Sequence, residues 1–197
     1  MKKIILVLFL FFVIPSISYA LDFDKDYYIS QITDKKYPYN HTGFFAAIQK
    51  QDIKTVELFL KSGFDPNATY MGVNAVIYSM IDEQEDILKL VLKYGANPNK
   101  TVPPLMVTFK RTNPLFYSIT KNNPDMTKIL IDCGADVNKP LGSKTPLYYA
   151  LIKKHPEQIE LLLSNGAITD EKTAKKLKKL KDEKIKALFE NLNPPQN

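Results

Sequence analysis

The chain has 197 residues, 45% hydrophobic and 24% charged, with a formal net charge of +6 and one cysteine. That is enough sequence for one domain with a substantial core, and the lone Cys133 excludes an intramolecular disulfide. Setting aside Lys2 and Lys3, which belong to the leader described next, leaves 25 basic against 21 acidic residues, a mild excess of +4.

Residues 1–20 read MKKIILVLFLFFVIPSISYA. Two lysines precede an apolar run from Ile4 to Ile14, and Pro15 then breaks the helix before the small-x-small pattern Ser18-Tyr19-Ala20. This predicts a secretory signal peptide of bacterial type, cut after Ala20. The run is shorter than the roughly 20 residues that cross a bilayer, and no later apolar stretch is long enough to do so. The expected location is the periplasm, with secretion as the second choice. Residues 21–41 follow. Phe23, Tyr27, Tyr28, Ile29 and Ile32 would share one helix face there, as expected of an N-terminal cap.

From residue 42 one frame recurs. Its copies are Thr42–Asn67, Asn74–Asn99, Asn113–Asn138 and Thr145–Thr169. Gly63, Gly95, Gly134 and Gly166 are spaced 32, 39 and 32 apart, and each lies 21 residues after its copy's first residue. The four starting residues Thr42, Asn74, Asn113 and Thr145 are all good helix N-caps. In the third copy a short helix leads to a break at Asn122-Asn123-Pro124. A second helix follows with Met126, Ile129 and Leu130 on one face, and Gly134 ends it. Neither helix would be stable alone in water, so the copies must stack on one another.

A period near 33 with these motifs resembles the ankyrin repeat. The residues that carry the resemblance are Thr145-Pro146-Leu147 with Ala150, Asn113-Pro114-Leu115, Gly134-Ala135-Asp136-Val137-Asn138 and Gly95-Ala96-Asn97-Pro98-Asn99. The chain departs from the family pattern at its usual histidine, replaced by Phe45, Ile77, Phe116 and Tyr148, and at Gly43, where proline is expected. The resemblance implies an all-α fold: an ankyrin-repeat solenoid of four helix-turn-helix repeats (42–67, 74–99, 113–138 and 145–169) between N- and C-terminal capping helices.

Two linkers between copies, Ala68–Val73 and Lys139–Lys144, are six residues long, whereas Lys100–Thr112 has 13. The longer one carries Pro103-Pro104-Leu105-Met106-Val107 and Phe109, apolar residues with no periodic reason to be buried, which favours partner contact over packing. Residues 170–192 hold two further helical patterns, Ala174, Leu177 and Leu180 on one and Ile185, Leu188 and Phe189 on the other. Their lysines alternate with acids and lack aromatic or arginine partners, so the segment reads as a solvated capping face. Residues 193–197 are expected to fray.

Chemistry is sparse in this sequence. His41 and His155 are the two histidines, and neither they nor Cys133 fall into a metal-ligand or nucleophile–base spacing. Cys133, on a last helical turn, is expected to be a half-buried small hydrophobe. The acids Asp82, Glu83, Glu85 and Asp86 fit a helix junction. No catalytic, cofactor or metal residue is assigned. Three sequons, at Asn40, Asn67 and Asn99, arise mostly because repeats end in asparagine.

In ankyrin proteins, the resemblance implies, partners dock on hairpin tips and the concave inner-helix face. By position in the frame the tips hold Tyr70, Met71, Phe109, Lys110, Leu141 and Gly142, and the inner helices present Ile81, Lys121, Ile152 and Lys153. With Leu105 and Met106 of the long linker, these supply apolar anchors beside charge, as a protein interface requires. The expected function is a monomeric, non-enzymatic exported binding protein, an accessory scaffold for a periplasmic or envelope protein. Its alternative is a periplasmic immunity protein neutralising a toxin of the lipase or nuclease class. Nucleic-acid binding and stable membrane insertion are not expected.

Overall fold

The first helix of each pair begins where a side chain can satisfy its orphan amides. Asn74 Oδ1 accepts from the Ile77 N–H at 2.9 Å, Asn113 Oδ1 from Phe116 at 3.0 Å and Thr145 Oγ1 from Tyr148 at 3.2 Å, and Pro114 and Pro146 hold the first helical positions. In the computed structural model, which describes residues 24–104 and 111–192, the chain divides into two units, Met1–Pro66 and Asn67–Asn197. The expected signal peptide, residues 105–110 and the tail 193–197 lie outside the described residues.

The first unit holds helix α1 (24–34), α2 (His41–Gln49) and α3 (Ile53–Lys61). Helix α2 starts earlier than expected. Its cap is Asn40, not Thr42, and Asn40 Oδ1 accepts from Gly43 at 3.0 Å. The turn before it is tight enough that a Cβ on Gly43 would lie 1.9 Å from the Pro38 carbonyl oxygen. Glycine therefore replaces the family proline because the backbone passes too close for a side chain. Phe44, Phe59, Phe64 and Tyr39 form the aromatic centre, with Tyr39 stacked on Phe59 at 5.6 Å and Phe44 against Phe64 at 4.9 Å. Of the α1 face, Ile32 is fully buried but Tyr27 stands exposed. Lys35 ties the end of α1 to α3, donating to Thr55 Oγ1 at 2.9 Å beside Asp52.

The second unit opens on a two-stranded antiparallel hairpin, β1 (Thr69–Tyr70) and β2 (Val73–Asn74), a small departure from a purely helical chain. Then come the helix pairs α4 (Ala75–Ile81) and α5 (Glu85–Lys93), α6 (Pro114–Lys121) and α7 (Pro124–Asp132), α8 (Pro146–Lys153) and α9 (Pro156–Ser164). They make two layers. The first helices α4, α6 and α8 run side by side, as do the second helices α5, α7 and α9. Helices α10 (Glu171–Lys178) and α11 (Glu183–Leu192) extend the layers, α10 on α8 and α11 on α9. Leu180, Ile185 and Phe189 close the core built by Leu147, Leu151, Ile159 and Leu162. The second helices end as the spacing implies, Gly95, Gly134 and Gly166 each holding a left-handed conformation just past the last turn. Cys133, by contrast, is exposed. As the C-cap of α7 it leaves the helix before the buried stripe, so the half-buried expectation fails there.

A second device ties turns together within the second unit. Three asparagines each clamp the turn about thirty residues further on: Asn67 Nδ2 donates to Gly95 O at 3.2 Å while its Oδ1 accepts from Asn97 N at 2.8 Å. Asn99 makes the same two bonds to Gly134 O and Asp136 N, at 3.0 and 2.9 Å, and Asn138 to Gly166 O and Ile168 N, at 3.0 and 2.8 Å. Lys100 and Lys139 reinforce this, donating to the Asn67 and Asn99 carbonyls, each at 3.2 Å. His155 adds a cross-link of its own. Its Nδ1 lies 3.0 Å from Ile119 O, a pairing that requires the proton on Nδ1. All three sequon asparagines thus have structural work, Asn40 as a cap and the other two as clamps.

Candidate partner-binding face

The surface the sequence points to is the edge of the second unit formed by its hairpins and first helices. The β1–β2 turn comprises Met71 and Gly72, at φ 51° and 80°, the signature of a type I′ hairpin. Asparagine or glycine would fit the first of these places. Methionine occupies it with 79% of its surface exposed. Tyr70 pairs with Val73 in the hairpin and is half-buried. Leu141, half-buried, pairs with Lys144 across Gly142 in the corresponding turn before α8. The long linker is pinned at its base, Val102 and Thr112 exchanging backbone bonds of 2.8 and 3.1 Å. Its expected contact residues Leu105, Met106, Phe109 and Lys110 lie outside the described residues. On the helices, Ile81 and Ile152 are half-buried and Lys121 and Lys153 exposed.

The same face holds a feature the sequence reasoning missed. Tyr78, Tyr117 and Tyr149 occupy the fourth place after Asn74, Asn113 and Thr145, hence equivalent sites on α4, α6 and α8. The signal lay in the frame itself, in a tyrosine recurring four places after each of three starts. Lys121 Nζ sits 5.6 Å from the Tyr117 ring centre. Lys153 and Lys144 approach the Tyr149 ring at 5.6 and 5.8 Å, cation–π distances. Thr120 donates to the Tyr149 hydroxyl at 3.2 Å, and the Tyr149 ring packs on Phe116.

Acids lie toward the other end. Burial, reinforced by the Asp82 and Glu83 carboxylates, raises the Tyr117 hydroxyl above its usual 10.0. Burial, with Tyr70 and Asp82, does the same at Tyr78. The row therefore runs from carboxylates just past the end of α4 to ammonium groups on α6 and α8, with rings between them, the composition of protein interfaces. Among the described residues no group of three or more His, Cys, Asp and Glu could hold a metal ion. Among them, too, no helix is long and apolar enough to cross a membrane.

A family model of ankyrin repeats, in three copies, matches residues 104–173. That stretch carries ankyrin repeats. The solved human ASB11 ankyrin repeat domain superposes with a TM-score of 0.56 at 16% identity, over 78% of this chain and 69% of that one, a likeness of fold. No curated protein matches the sequence. Ankyrin repeats are protein-interaction modules, their stacked units generating extended binding surfaces, and the fold is typically a non-enzymatic scaffold.

Proposed function

We propose that this ankyrin-repeat protein is exported and binds a protein partner through its hairpin turns and first-helix face, as an accessory scaffold for a periplasmic or envelope protein. The observation that carries it is the row Tyr78, Tyr117 and Tyr149, flanked by lysines at one end and acids at the other. Tyr78 and Tyr149 are part-exposed, with Tyr117 buried between them as support. Ordered rings offer contact area at small entropic cost, and Met71 stands exposed in the hairpin turn where the turn itself would favour another residue. Export rests on the leader: dilysine, a short apolar run and a cleavage pattern at Ala20.

The test is affinity capture from the native envelope with the processed chain, beside Met71→Asn and Ile152→Ala variants whose circular dichroism is unchanged. A partner retained by the parent protein and lost by both variants is expected, and its identity separates a scaffold from a toxin-neutralising role. Equal retention by all three would reject this face. N-terminal sequencing of the periplasmic protein should begin at Leu21; an intact Met1 would reject processing.

A further inference from the structure

Helix α10 carries two stripes. Thr173 and Leu177 turn inward, the threonine fully buried and the leucine packed at the edge of the core. Lys172, Lys175, Lys176 and Lys179 fall at the i, i+3, i+4, i+7 spacing of a single second face. That face lines an open cleft of about 340 Å³, completed by Lys144 from the preceding hairpin and Tyr148 from α8. Lys172 is held there, its Nζ donating to Ser143 O at 3.0 Å.

Five lysines therefore line one cleft, and no acidic residue is among its lining. Two acids at the start of the helix, Asp170 and Glu171, lie beside Lys172 and Lys175 but outside the lining. Asp170 caps α10 by accepting from Thr173 at 2.7 Å, and Glu171 pairs with Lys175 where both side chains are more than two-thirds exposed, a weak contact in water. Among the described residues Lys176 and Lys179 form no ion pair. Lys172 with Lys176, and Lys175 with Lys179, are like charges four apart on one helix, an arrangement that destabilises it. An eight-residue helix carrying such repulsion gains stability from an anion that answers it.

We infer that this cleft binds a compact multivalent phosphate, such as a pyrophosphate or polyol polyphosphate group, free or carried on a lipid headgroup. The chemistry favours phosphate. Ammonium groups act as point charges toward its oxygens, Tyr148 adds a hydroxyl, and the volume lies at the low end of small-ligand sites. With a single ring present, the cleft offers no platform on which successive bases could stack.

The full chain is titrated calorimetrically with pyrophosphate and with inositol hexakisphosphate. In parallel it is floated with phosphatidylcholine vesicles with and without phosphatidylinositol bisphosphate. Saturable binding in the first arm assigns a free ligand, and binding in the vesicle arm alone a headgroup. Either supports the site if the Lys176→Gln/Lys179→Gln double variant weakens it at least about tenfold while Lys178→Gln, on the same helix but outside the cleft, stays within about twofold. Absence of saturation in both arms would overturn the inference. So would equal losses from Lys178→Gln, which would reduce the effect to general helix charge, or tighter binding of single-stranded DNA than of either phosphate probe.

Discussion

Met71 shows how one residue can be set against its own backbone. A left-handed conformation costs an ordinary residue about 1–2 kcal/mol, and the Met71-Gly72 turn requires it at φ 51°. Asparagine is preferred at that place in a type I′ turn. Met71→Asn is expected to raise unfolding stability by up to about 1 kcal/mol in urea titration, while weakening partner capture. A variant that is more stable and binds as before would show that the exposed thioether does nothing. Tyr117 supplies a second test at this scale. Its hydroxyl pKa is raised in the fold by burial and then by Asp82 and Glu83. The folded state thus holds the proton more tightly than the unfolded chain. The stability this contributes is complete below the ordinary 10.0 and is lost as pH rises through the folded value. Tyr117→Phe should therefore flatten the alkaline fall in stability above about pH 10, measured as urea midpoints across pH, leaving neutral stability little changed.

At the scale of elements, the second unit depends on contacts between neighbouring helix pairs, and two substitutions probe them. Asn99 makes two hydrogen bonds to the following repeat. Asn99→Ala should lower unfolding free energy by about 1–2 kcal/mol with an unchanged denaturant slope. Gln158 lies fully buried in α9 with neither its oxygen nor its nitrogen partnered. The equivalent places of the second and third copies, thirteen after their starts, hold Ile87 and Met126, each 1% exposed, while the first copy holds Thr55. Gln158→Met should then stabilise the unit by about 1–2 kcal/mol, because it removes an unpaired buried amide from a place that holds an apolar side chain in the two preceding repeats. A lower urea midpoint in that variant would contradict this account of the α9 core.

At the scale of the molecule, what the sequence made legible was whatever short-range spacing controls. Glycines at a fixed distance from capping residues announce helix pairs, and Asn74, Asn113 and Thr145 cap as expected because capping is a contact within three residues. What it hid were contacts between distant residues. The start of α2 moved to Asn40 because Gly43 runs against Pro38, and Cys133 is exposed because α7 ends one residue before it. The asparagine clamps reach 28 to 37 residues along the chain, so a repeat-ending asparagine reads as a turn former until its neighbour is in place. The tyrosine row was hidden for a related reason. A ring at the fourth place of a short helix looks like core, and Tyr117 is core, but the packing of adjacent first helices leaves Tyr78 and Tyr149 part-exposed. The lysines of α10 read as solvated until the hairpin at Leu141–Lys144 closes a cleft over them.

The central claim is that this edge of the repeats, and no other, receives a protein. The most direct measurement places a photo-crosslinking amino acid at position 71, 152 or 160 in the full chain, in the producing cell. Glu160 lies exposed on α9, in the opposite layer. Irradiation should yield one partner adduct from positions 71 and 152 and none from 160. The same adduct from 160 in equal yield, or no adduct from 71 and 152, would contradict the account.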